Sequence, residues 1–191
     1  PDPDPDYGIP YSSNTSSFSS QGTSIIELDI NETGTITDLN FEINLDHGRD
    51  HGVRYVSIDL RSPNGTIVHI ADGDQIGSSP WWTSSNANNC SNLLYTLFDD
   101  EASESVYNSS CPFTGTFQPE GSLSDFDGQS LAGTWKLIVT NASNDYGGSL
   151  DFTIHAEYDL SNPDPDPDYG IPYSSNTSSF SSQGTSIIEL D

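Results

Sequence analysis

The residues best suited to chemistry in this chain are acidic. Asp99, Asp100 and Glu101 put three carboxylates in a row behind an apolar run at 93–98. Repulsion among them is relieved by a hard cation such as Ca2+, which takes several carboxylate and carbonyl oxygens from a loop. Without a cation the same residues read as a solvated acidic loop. A second group, Asp46-His47-Gly48-Arg49-Asp50-His51, holds two histidines at i and i+4. That spacing serves zinc on a helix. Gly48 and the apolar alternation on either side favour a solvated hairpin loop instead, or one that supports calcium. Residues 1–6, PDPDPD, carry a carboxylate at every second position, as an EF-hand loop begins. Tyr7 and Ser13 stand where that loop needs glycine and glutamate, so the stretch reads as a stiff extended spacer. Residues 128–132, GQSLA, echo the GxSxG nucleophile elbow faintly but lie in a loop before a strand, not in a strand–turn–helix. No Ser/His/Asp set with supporting context emerges, so no catalytic machinery is expected.

Elements that would position these groups follow from period-two alternation. Residues 36–45 place Leu39, Phe41, Ile43 and Leu45 on one face. Residues 55–62 do so with Val56, Ile58 and Leu60. Residues 133–140 alternate Trp135, Leu137 and Val139, and 149–158 alternate Leu150, Phe152, Ile154, Ala156 and Tyr158. With 24–30, 66–71 and 93–98 these read as half-buried strands between turn signals such as SPNGT at 62–66. No sustained helical period appears. The expected fold is all-β: a jelly-roll β-sandwich of about eight strands.

Composition narrows the partners. Four Lys and Arg face 29 Asp and Glu, for a net charge of −25. Nucleic acid and anionic lipid, which need basic contacts, are excluded as partners. No apolar run approaches the roughly 20 residues of a membrane span. The two cysteines, Cys90 and Cys111, read as one disulfide of a secreted domain, worth about 3 kcal/mol by the chain-entropy model. Seven Asn-x-Ser/Thr sequons, at Asn14, Asn31, Asn64, Asn89, Asn108, Asn141 and Asn176, lie in segments that read as turns or strand ends, where a glycan is accommodated.

Residues 163–191 repeat residues 1–29 letter for letter, an offset of 163 − 1 = 162. Self-similarity at a fixed period marks a modular array. The expected organisation is a Pro-Asp spacer and Ser/Thr-rich arm at 1–23, a sandwich at 24–160, and at 161–191 the spacer, arm and first strand of the next identical repeat. The absence of a signal peptide fits an interior piece of a longer, secreted or cell-surface protein. Tyr7, Ile9, Tyr11 and Phe18 suggest that the arm packs on something.

Four stretches in order, VSIDLRSPNGTIVHI, LFDDEA, FTGTFQPEGSLSDFDGQSLAGTWKLIVTN and YGGSLDFTIHAEY, resemble the P domain that follows the catalytic domain of subtilisin-like proprotein convertases and many secreted bacterial proteases. The resemblance covers about residues 25–158. It implies a non-catalytic jelly-roll sandwich that stabilises or regulates a neighbour, and, as in many bacterial members, calcium bound through Asp99, Asp100 and Glu101. The acidic residue that the family often carries before the Ser-Pro-x-Gly-Thr strand is replaced by Arg54, Tyr55 and Val56. A ligand from that side would come from Asp46 or Asp50.

Two functions follow as expectations. One is a structural repeat of an extracellular fibre, stalk or adhesin, with neighbouring copies as partners. There, Ser24, Ile25, Ile26, Glu27 and Leu28, or the arm before them, dock on a neighbour by strand addition, the alternative being ordinary pairing within one domain. The other is an accessory protease domain or a carbohydrate-binding module using Trp81, Trp82 and Tyr95.

Overall fold

The computed structural model describes residues 8–50, 52–73, 90–111 and 113–160. The chain divides into two compact units, Pro1–Ser161 and Asn162–Asp191, and all described residues belong to the first. Trp81, Trp82, His51, Asn89, Asn176 and the second copy of the repeat lie outside the described residues.

Among the described residues ten strands form two sheets packed face to face: β1 Ile9–Ser12, β2 Ser16–Phe18, β3 Gly22–Ile30, β4 Thr35–His47, β5 Val56–Arg61, β6 Ile67–Asp72, β7 Asn92–Phe98, β8 Phe113–Phe117, β9 Gly133–Asn141 and β10 Gly148–Asp159. The larger sheet runs β1-β10-β4-β7-β8, with β2 also on β10; the smaller runs β3-β9-β5-β6. The fold is the expected all-β sandwich. The apolar residues that alternate in β4, β5, β9 and β10 are the ones buried: Leu39, Phe41, Ile43 and Leu45, then Val56, Ile58 and Leu60, then Trp135, Leu137 and Val139, then Leu150, Phe152, Ile154 and Ala156. Each strand turns alternate side chains to the core, so the pattern is the strand's own period made visible. Phe41 stands between Phe98 and Phe152, and Trp135 meets Phe126 edge-on at 5.1 Å while its Nε1–H donates to the Leu131 carbonyl. The large aromatics are therefore buried with their one polar atom satisfied.

Among the described residues the strand pairs are antiparallel except β7 with β8, which run parallel with Leu93 opposite Phe113. Cys90 and Cys111 lie just before these two strands, and the disulfide between them pins the parallel register where it starts. Thr96 Oγ1 donates to the Phe113 carbonyl across the same pair.

The sequence boundary at residue 24 falls too late. The arm is the edge of the larger sheet: β1 pairs with Thr153–Ala156 and β2 with Gly148–Leu150, both on the side of β10 away from β4. Between them Ser13 N donates to Phe152 O and Phe152 N donates to Ser13 Oγ. Phe18 is buried, and Tyr11 packs on the core with its hydroxyl donating to that of Tyr158. Gly8 opens the arm at φ +85°, where a Cβ would lie 2.6 Å from the Ala156 backbone carbonyl carbon; only glycine permits that approach.

Residues 24–28 likewise belong to this sandwich. Every residue of β3 from Gly22 to Ile30 has a partner in β9, and Ile26 and Ile30 are buried. Of the two alternatives weighed for Ser24, Ile25, Ile26, Glu27 and Leu28, pairing within the domain is the one observed; strand addition to a neighbour would have to strip two core side chains from their own domain.

Candidate functional site

The five residues expected to hold calcium do not form one site. Phe41 is the register partner of Phe98 and Asp46 of Asn92. Asp46 and Asp50 thus lie at one end of β7, and Asp99–Glu101 leave the other, about 20 Å away at 3.3 Å per strand residue. Asp100 is already engaged. Its Oδ1 accepts from Leu123 N at 3.0 Å, and its Oδ2 from Ser124 N at 2.9 Å and Ser122 Oγ at 2.7 Å. These donors belong to the 3-10 turn Leu123–Phe126 and its flank, so the carboxylate caps that turn's N–H groups. Burial alone would raise the Asp100 carboxyl, but the hydrogen bonds from Leu123, Ser124 and Ser122 outweigh it and hold the group below its usual range. Asp99 Oδ1 accepts Glu101 N. What remains for a cation is Asp99 and Glu101, with Asp38 and Asp127 close enough to feel the charge. The Glu101 carboxyl is raised by its hydrogen bond to Asp99, and Asp38 by burial and by Asp99. Burial, Asp38 and Asp100 raise Asp127. Among the described residues these carboxylates form one acidic surface.

The loop after β4 also differs from expectation at one residue. His47 is still in β4 and 1% exposed, not part of a solvated loop. Arg49 N donates to its Nδ1, which leaves the proton on Nε2, facing Asn141 Oδ1 at 3.4 Å. Burial pushes the His47 imidazole below its ordinary 6.5, and the Asn141 contact only partly offsets this. Asn141 is a hub: its Oδ1 also accepts Ser143 N, and its Nδ2 donates to the carbonyls of Ser19 and Tyr146. Asn141 is 2% exposed. A glycan on Nδ2 would replace one of these two N–H donors and force a sugar into a buried site, so this sequon is closed in the folded chain. Asn14, Asn31, Asn64 and Asn108 are exposed. Tyr95 is exposed at φ +50°, its N–H donating to Asn44 Oδ1.

A different group converges where the sequence raised no expectation. His69 Nδ1 lies 2.6 Å from Asp59 Oδ1, and its Nε2 lies 3.4 Å from Glu120 Oε2 and 3.9 Å from Asp72 Oδ2. Among the described residues, His69, Asp72 and Glu120 are the one set with three ligand atoms within 4.8 Å of one another. Asp59 and His69 are cross-strand partners, while Ser57 faces Asp72 and Ile58 faces Ala71. The register shift after Ile58 inserts one extra residue on β6, a β-bulge. In a regular strand His69 and Asp72, three apart, would face opposite ways. The bulge restores the parity, so both stand on the outer face with Asp59. Glu120 arrives on the chain beyond β8: its N–H donates to Ile70 O and that of Gly121 to His69 O. This pairing covers the β6 edge. A Cβ on Gly121 would meet His69 O at 2.9 Å. The hydrogen bond to Asp59 raises the His69 imidazole despite burial, and the charges of Asp59, Glu120 and Asp72 add to it. Glu120 is raised in turn, mainly by burial.

No helix among the described residues is long and apolar enough to cross a membrane. No family model matches the chain, and no curated protein matches it. Solved structures that align with it include the serine protease of Aeromonas sobria, at 14% identity and TM-score 0.43, and the same protease in complex with the chaperone ORF2, at 15% and 0.41. Each alignment covers 78% of this chain and 27% of the other, so the chain spans about a quarter of the length of those structures.

Proposed function

We propose that this chain is a non-catalytic β-sandwich module of a secreted protein, repeated in tandem, in which each sandwich is closed by its own arm. The observation that carries the reading is the fate of the repeated text. In the first copy, residues 9–29 supply β1, β2 and nearly all of β3, so most of the repeated text is sandwich and not linker. Between Leu160 and the glycine at 170 that copies Gly8 lie 170 − 160 − 1 = 9 residues.

The paired strands then set how an array is strung. β1 runs antiparallel to β10, with Ile9 opposite Ala156. The chain therefore enters and leaves the sandwich at the same end, Gly8 and Leu160 being within about 13 Å by strand rise. Nine linking residues reach at most about 35 Å. Consecutive attachment points are thus separated by no more than roughly 48 Å, and the sandwiches hang beside the connecting chain. A rod of sandwiches joined end to end would instead add the length of β4, 13 residues or about 44 Å, to the linker, giving about 80 Å. On this reading the acidic surface keeps adjacent sandwiches apart by repulsion, and calcium at Asp99 and Glu101 binds weakly and without saturation. Exposed Asn14, Asn31, Asn64 and Asn108 are available to glycans.

A second reading, an accessory domain beside a secreted protease, is favoured by one observation. The P-domain-like stretch at 56–70 forms β5, the turn and β6 as a unit. Cutting the chain after residue 162 tests the first reading's premise: a module closed by its own arm melts at the same temperature without 163–191, and a large fall would show that the copy closes it instead.

A further inference from the structure

We propose that His69, Asp72 and Glu120 form a binding site for one first-row divalent metal ion, best matched to Zn2+, with Asp59 holding the imidazole in place. The donors are one imidazole nitrogen and two carboxylate oxygens, a set that suits zinc better than calcium, which prefers oxygen alone. Ligands about 2.0–2.2 Å from a tetrahedral zinc lie roughly 3.3 Å apart. The Nε2–Glu120 and Nε2–Asp72 separations of 3.4 and 3.9 Å are close to that spacing. Asp59 supplies what a metal-binding histidine usually needs, a carboxylate on its other nitrogen. Nδ1–H donates to Asp59, so Nε2 carries the lone pair and faces the two carboxylates.

The backbone holds the three ligands independently of any ion. The β6 bulge turns His69 and Asp72 to one face, and the pairing of Glu120 N–H and Gly121 N–H with β6 fixes the approach of Glu120. His69 and Glu120 are about one-third exposed and Asp72 is 13% exposed. The remaining coordination positions therefore face solvent and take water. A bound ion ties residues 118–121 to the β6 edge, reinforcing the cover that keeps this edge from pairing with another chain.

The competing explanation is a protonated His69 in an ion-pair network that binds no metal. Metal-stripped protein, residues 1–191, is titrated with ZnCl2 by calorimetry, and with CoCl2 by visible absorption. The expected result is one saturable zinc per chain, a melting temperature that rises with the logarithm of zinc concentration, and cobalt ligand-field bands of a low-coordinate N/O site. H69Q and E120Q each weaken zinc binding at least about tenfold, and D59N does so by about 10- to 100-fold through loss of orientation. A D99N/E101Q double variant binds as wild type does, which separates this site from general attraction to the acidic surface. Should H69Q fail to fold, E120Q carries the test, because Glu120 pairs with β6 through its backbone and not its carboxylate. Absence of saturable binding, or unchanged zinc affinity in E120Q, overturns the proposal.

Discussion

Replacing Asn141 by alanine is expected to be among the most damaging substitutions of a polar residue in this chain. The change leaves four groups without their partner: Ser143 N–H, His47 Nε2–H and the carbonyls of Ser19 and Tyr146. His47 and Ser143 are buried, so water replaces the lost partner poorly, and each donor costs about 1–1.5 kcal/mol. The two carbonyls belong to exposed residues and cost about 0.5 kcal/mol each. The sum is about 3–4 kcal/mol, or a fall in melting temperature of roughly 7–14 °C for a domain of this size. Urea unfolding at pH 7.5 measures it, with an unchanged slope confirming that the unfolded state is not at issue. Asn141→Asp is also destabilising, because a carboxylate keeps the bond to Ser143 N–H but faces two carbonyls without a proton to donate. Asn141→Gln, the usual way to remove a sequon, destabilises as well, whereas Asn31→Gln leaves stability within about 0.5 kcal/mol. A loss below about 1 kcal/mol in Asn141→Ala would refute the view of this residue as a buried hub.

Expressed in a glycosylating host, the protein carries glycans among Asn14, Asn31, Asn64 and Asn108 but none at Asn141, as read by peptide mass spectrometry; an occupied Asn141 contradicts its burial. Reducing Cys90–Cys111, whose sequence separation is 21, lowers stability by about 3 kcal/mol, seen as a lower urea midpoint in the presence of reductant. Asp100→Ala costs about 2 kcal/mol by releasing the Leu123–Phe126 turn, while Glu101→Gln stays near neutral; equal losses would restore the trio to a common role. Because the folded Asp100 carboxyl sits below its ordinary 3.8, its contribution is present above that pH and is lost as pH falls through the folded value. His47 shifts downward as a base: the unfolded chain binds more protons below 6.5, so its contribution is complete above 6.5 and falls as the solution is acidified through the range just below. Differential melting of wild type and His47→Gln across pH 5–7.5 isolates that slope.

The strands of the core were legible because each one alternates. Leu39, Phe41, Ile43 and Leu45 state both the period and the buried face of β4. The arm was not legible, because β1 and β2 bury little on an edge. Ile9 is 52% exposed, and serines and an asparagine separate the residues that do pack, so composition read as a loop. The disulfide needed only a count of cysteines. Asp100 was visible as an acid but not as a cap, since its partners at Leu123 and Ser124 lie more than 20 residues away. The His69 group was invisible for a sharper reason. His69 and Asp72 are three apart, which in a regular strand sets them on opposite faces, and only the bulge against β5 brings them together. Glu120 joins from a segment whose pairing with β6 depends on Gly121. Nothing in local periodicity encodes either contact.

The arrangement of termini turns the repeat into a measurable length. Electron microscopy of a protein carrying several consecutive repeats, spread under low-salt conditions, gives the centre-to-centre spacing of attachment points along the connecting chain. Same-end entry and exit predict at most about 48 Å with sandwiches displaced to the side; a straight rod repeating at about 80 Å would contradict it.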